Sequence, residues 1–112
     1  MGTRLTYVIK FVADMDVAVA FHRDRLGLAV KFATPFWTEM ATGETTLALH
    51  PATPEKPAGH VEVGFGVDDL AAFYAEKSAA GLTFTQPPRE QHGVQVAKLR
   101  DCEGAETRVS GA

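Results

Sequence analysis

Along residues 5–12, Leu5, Tyr7, Ile9 and Phe11 interleave with Thr6, Val8, Lys10 and Val12, and this period of two predicts a strand with both faces partly apolar. Asp14 follows as an N-cap, after which Met15, Ala18, Val19, His22 and Leu26 recur at helical spacing until Gly27 ends the helix. Residues 28–33 alternate again through Leu28, Val30 and Phe32; 36–41 forms another short strand, and a turn at Thr42 and Gly43 leads to a strand over 45–50. The order is β-α-β-β-β.

The second half repeats the order. In 60–67, Val61, Val63, Phe65 and Val67 alternate with His60, Glu62, Gly64 and Gly66, so one face is apolar and the other polar or bare. Asp68 and Asp69 open a helix with Leu70, Phe73, Tyr74, Lys77 and Ala80 on one face, and Gly81 closes it. Strands over 82–85, 94–100 and 106–110 follow, with 87–93 read as a loop and a turn over 101–104. Val12 to Met15 matches Val67 to Leu70, and Gly27-Leu28 matches Gly81-Leu82, at an offset of about 55 residues that points to internal duplication.

Each sheet has one helix to cover it, so its other face needs a different partner. In the first half, Leu47 and Leu49 share one side of their strand, and Thr46, Ala48 and His50 share the other. Lys10 fits poorly on a helix-covered face and is expected to snorkel.

A chain of 112 residues can bury enough surface for a core without staples, and one domain over 1–112 is expected, with a first module over about 1–53 and a second over about 58–112. Cys102 is the sole cysteine and has no intrachain partner, which suits a reducing, cytoplasmic setting. No long apolar run follows the N-terminus, so neither a signal peptide nor a membrane partner is expected. The net charge is -3 and the eleven basic residues are scattered, which argues against nucleic acid as a partner. The Pro-rich stretch 51–59 reads as a linker.

With these elements in place, the chain resembles the vicinal oxygen chelate superfamily, the glyoxalase, bleomycin-resistance and extradiol-dioxygenase group. The resemblance rests on VADMDVAVAFHRDRLGL at 12–28, LALHP at 47–51, VGFGVDDL at 63–70 and LRDCEG at 99–104. It implies an α+β fold of two βαβββ modules whose sheets curl into an incomplete barrel around a cleft, usually in a homodimer. In metal-using members one ligand comes from the first and one from the last strand of each module, and carrying those positions over gives Tyr7, Ala48, Glu62 and Arg108. Ala48 offers no donor and Arg108 places a permanent cation where a divalent ion would sit, so neither a metal nor another cofactor is expected. Cys102 replaces the usual proline of the last turn, and His22 stands where the first helix usually has tyrosine.

The resemblance implies that Glu62 and Arg108 face one another across the cleft. They are either a buried ion pair replacing the metal or a ligand-recognition pair, Arg108 clamping an oxyanion and Glu62 acting as general base. Tyr7 is a candidate to donate to a ligand oxygen, or else a packing tyrosine. His50 and His60 lie on the cleft side by alternation, either as solvated histidines or, with Glu62, as a shifted metal site. Trp37, Phe11 and Glu39 are candidates for a ligand wall, although a tryptophan in a small domain is core by default. His22 is expected in the core or at a dimer edge, and His92 in a loop over the cleft. The acidic turn around Cys102 disfavours its thiolate. No Ser-His-acid order, Cys-x-x-Cys or phosphate-binding glycine loop is present.

The expected function is binding of a small organic molecule, a drug or metabolite, in the cleft without a metal, within a homodimer. The alternative is a lyase, isomerase or dioxygenase, either using the shifted His and Glu site or metal-free with Glu62 as base.

Overall fold

The structure is a computed structural model that describes residues 2–91 and 93–112. His92, expected over the cleft, lies outside the described residues. The chain is α+β and comprises β1 (Arg4–Val12), α1 (Met15–Ala20), β2 (Ala29–Ala33), β3 (Thr38–Ala41), β4 (Thr46–Pro51), β5 (Val61–Val67), α2 (Leu70–Ala79), β6 (Phe84–Gln91), β7 (Val94–Arg100) and β8 (Glu106–Gly111). This is the expected βαβββ order, twice. Among the described residues no helix is long and apolar enough to cross a membrane.

Two compact units form: Thr6–Glu62, and Val63–Ala112 with the N-terminal residues up to Leu5. Their strand orders correspond. In the first, β2-β3-β4-β1 run side by side, with β1 parallel to β4 and the other neighbours antiparallel; in the second the order is β6-β7-β8-β5, with β5 parallel to β8.

Both helices start where cap chemistry places them. Asp14 and Asp69 have extended backbones, and their carboxylates accept from Val17 N at 3.1 Å and Ala72 N at 3.0 Å. Gly27 and Gly81 follow the helices at φ +76° and +98°, a region closed to most side chains. The first helix does not stay α-helical to Leu26. It widens into a π-helical turn over Phe21–Arg25, with Leu26 N bonded to Phe21 O at 3.2 Å. His22, in that turn, is 5% exposed and donates from Nδ1 to Ala18 O at 2.8 Å, so its buried ring has a partner.

The second unit's core contains Val67, Leu70, Ala97, Leu99 and Val109, with Phe65, Phe73 and Phe84 packed on it. This is the α2 side of its sheet. The first unit's sheet contributes Ile9, Phe11 and Ala48, with Tyr7 and Trp37 against them.

Three segments differ from expectation. Residues 87–91 are part of β6 rather than a loop: Gln86 pairs with Lys98 and Arg89 with Val96, so Pro87 and Pro88 lie in a bulge on an edge strand, where their missing N–H groups break no ladder bond. Phe36 and Trp37 leave the strand expected there because the Thr34 hydroxyl accepts from both their amides, at 3.2 and 2.9 Å, and turns the chain before β3. The stretch 51–59 is not a linker. Pro51 belongs to β4, Thr53 and Lys56 exchange backbone hydrogen bonds of 2.9 and 3.1 Å, and Ala52 N and Gly59 N bond Val12 O and Phe11 O at 2.8 Å.

Candidate functional site

Strand register gathers the candidate residues of the first unit onto one face. Across β1 and β4, Tyr7 lies opposite Thr46, Ile9 opposite Ala48 and Phe11 opposite His50; across β3 and β4, Glu39 lies opposite Ala48. Laterally paired residues point to the same side, so Tyr7, Phe11, His50 and Glu39 share a face, with Trp37 two positions before Glu39.

At one end of that face Glu39 is a hub. It is 8% exposed, and its Oε2 accepts from Tyr7 Oη at 3.1 Å and Trp37 Nε1 at 2.9 Å, while Oε1 lies 3.5 Å from Lys31 Nζ. Tyr7 and Trp37 also meet edge to face, at 5.9 Å between centroids. A buried carboxylate thus holds the edges of both rings and fixes their orientation. The β3–β4 register decides which way this strand faces.

At the other end Phe11 is the hub. The His50 and His60 rings pack on it at 4.9 and 5.5 Å, and Lys56 Nζ stands 5.5 Å from its centroid in a cation–π contact. His50 also contacts Trp37 at 6.1 Å, linking the two ends, and its Nδ1 is 2.7 Å from Pro51 O. The Glu62 side chain is fully buried, and its carboxylate receives the Lys56 ammonium in a direct charged hydrogen bond.

Lys56 is the residue that sequence reasoning missed. The turn delivering it has a readable signal, since Thr53 followed by Pro54 is a tight-turn start, and Lys56 N bonds both Thr53 O and Thr53 Oγ1. Its partner had no such signal. Lys31, the third group on Glu39, was missed as well.

In the second unit, Arg108 pairs laterally with Gly64 and Lys98, whereas Val109 on the α2 side pairs with Phe65 and Ala97. Arg108 therefore lies on the sheet face opposite α2, half-buried.

A sequence model of the Glyoxalase/Bleomycin resistance protein/Dioxygenase superfamily matches residues 4–107. The chain belongs to this superfamily. It is 30% identical over 111 residues to the uncharacterized protein YurT of Bacillus subtilis (strain 168), covering 84% of this chain and 87% of that one. Among solved structures, the hypothetical protein BH1468 from Bacillus halodurans C-125 superposes with a TM-score of 0.87 at 16% identity, over 100% of this chain and 96% of that one. Methylmalonyl-CoA epimerase from Mycobacterium tuberculosis superposes with a TM-score of 0.83 at 17% identity, over 96% and 87%. At these identities the two structures speak to the fold alone, and they agree with the α+β βαβββ modules described above.

The residues at the metal-ligand positions of this glyoxalase-superfamily chain do not suit a divalent ion. Ala48 is a fully buried methyl group, the Tyr7 hydroxyl is engaged by Glu39, and an ammonium already stands on Glu62. The shifted set does not assemble either: both imidazoles pack on the Phe11 ring, and among the described residues no three His, Cys, Asp or Glu side chains converge on one point.

Proposed function

We propose that this member of the glyoxalase/bleomycin-resistance superfamily binds a small organic molecule, a drug or metabolite, against the Tyr7–Trp37–His50 face of its first unit, which rests on buried Phe11, without a divalent metal. The observation that carries this reading is the grip of Glu39 on Trp37 and Tyr7: two rings fixed by their polar edges form a preorganised apolar wall, and ordering it costs a ligand nothing. A homodimer is part of the proposal, supported by the exposure of Phe21, Leu26 and Phe36, and sedimentation equilibrium at micromolar concentration tests it.

Trp37 is the sole tryptophan, so its emission reports directly on the wall. Untagged protein is screened against antibiotics and metabolites by ligand-observed NMR, and hits are titrated by fluorescence. The expected result is saturable quenching with affinity weakened about tenfold in Tyr7→Ala. Binders that all leave Trp37 emission unmoved, or stoichiometric divalent metal retained by the purified protein, would remove the reading.

The second reading is a metal-free lyase or isomerase with Glu62 as base, favoured by the fold-level likeness to methylmalonyl-CoA epimerase. Against it stands Lys56, which Glu62 must release before taking a proton. Exchange of a substrate α-proton with deuterated solvent, abolished in Glu62→Gln, would decide for the enzyme.

A further inference from the structure

The two carboxylates at the ends of the aromatic face are already engaged. Glu39 receives Tyr7, Trp37 and Lys31, and Glu62 receives Lys56. With the Tyr7 and Trp37 protons given to Glu39, the positive charge beside this face comes from Lys31 and Lys56, and Lys56 is the one held against the Phe11 ring.

The pair is also arranged in depth. The Lys56 side chain retains 16% of its exposure while that of Glu62 retains none, so a molecule approaching the face meets the ammonium first and the carboxylate behind it. A buried ion pair of this kind contributes little net stability over an apolar pair of equal volume, so stability alone does not account for it. Several independent contacts fix the ammonium: the Thr53 turn holds the Lys56 backbone, Glu62 orients the amine, and the Phe11 ring lies beneath it. An oriented cation over an aromatic floor, flanked by two imidazoles, is a recognition site for an anionic oxygen attached to an apolar body.

We infer that Lys56 is the anchor for the ligand and that the ligand is an aromatic or similarly planar compound bearing a carboxylate, whose oxygen takes the Lys56 ammonium while its apolar part lies against Trp37 and His50. The inference rests on the aromatic-face reading above and specifies the ligand class. A resident ammonium performs here the charge-matching that a bound cation would otherwise supply, and Glu62 is a positioning residue that holds it.

Three probes of matched size and different charge test this: phenylacetate, 2-phenylethanol and phenethylammonium, titrated into the full chain by Trp37 fluorescence and calorimetry. Phenylacetate is expected to bind at least about tenfold more tightly than the neutral alcohol and the cation more weakly still. Because Lys56→Met alone leaves a buried carboxylate without its cation and threatens folding, the decisive variants are Lys56→Arg, which should keep the anion preference, and the double variant Lys56→Met/Glu62→Met, which should bind phenylacetate no better than phenylethanol. Anion preference surviving in the double variant, or phenylethanol matching phenylacetate on the wild type, overturns the assignment of Lys56 and leaves the aromatic-face reading standing. Failure of all three probes to move Trp37 at millimolar concentration also overturns it, and the broader screen then judges the aromatic face separately.

Discussion

Tyr7 and Trp37, thirty positions apart in sequence, donate to the same carboxylate oxygen, Glu39 Oε2, at 3.1 and 2.9 Å. Their rings meet edge to face at 65°. One short β3 side chain therefore sets the geometry of two aromatic residues from different segments.

Replacing Glu39 with leucine should take the shared acceptor away from both ring donors and destabilise the protein by about 2–4 kcal/mol. Urea unfolding followed by circular dichroism measures the loss, and a shifted or broadened Trp37 emission in the folded variant should accompany it. Unchanged emission would show that packing alone holds the ring.

The Lys56–Glu62 pair should behave asymmetrically under mutation. Either Lys56→Met or Glu62→Met alone is expected to cost about 3–5 kcal/mol, because each leaves one buried charge uncompensated, whereas the double variant should recover most of that loss. A double-mutant cycle from urea midpoints gives the coupling directly. Additive losses would mean that the two side chains do not share a bond.

The two N-caps make a matched pair across the duplicated modules. Asp14→Ala and Asp69→Ala should each cost about 1 kcal/mol, and Asp→Asn at either position should recover most of it. Thermal unfolding of the four variants checks this, and equal stability of alanine and wild type at either site would show that the cap bond contributes nothing there.

Gly111 in β8 pairs with Val67 and leaves no room for a side chain: a Cβ there would lie far inside van der Waals contact of Val67 O and 3.2 Å from Val67 C. Those two atoms are backbone, and the Val67 Cγ2 methyl lies 3.2 Å away as well. Gly111→Ala should therefore force β5 and β8 apart and cost about 1–3 kcal/mol, read as a lowered urea midpoint. A neutral result would mean that the C-terminal end of β8 yields without resistance.

The sequence by itself determined the β-α-β-β-β order, its repetition and the helix starts, because period-two alternation, aspartate caps and helix-ending glycines at 27 and 81 act within a few residues of chain. It also singled out Tyr7, Trp37, Glu39, Phe11, His50 and Glu62. Only the tertiary structure decided which of these meet. Glu39 gathers Tyr7 and Trp37 because the β1–β4 and β3–β4 registers bring three separate segments onto one face, and no local pattern encodes register between strands so far apart. The prolines at 87 and 88 read as a loop because composition carries no sign of the bulge that admits them to an edge strand. Lys56 lies in the proline-rich stretch that reads as a linker. A lysine becomes a buried partner through where the chain returns, and that return is set by hydrogen bonds from 52 and 59 to β1, which are properties of the folded backbone rather than of any residue's identity.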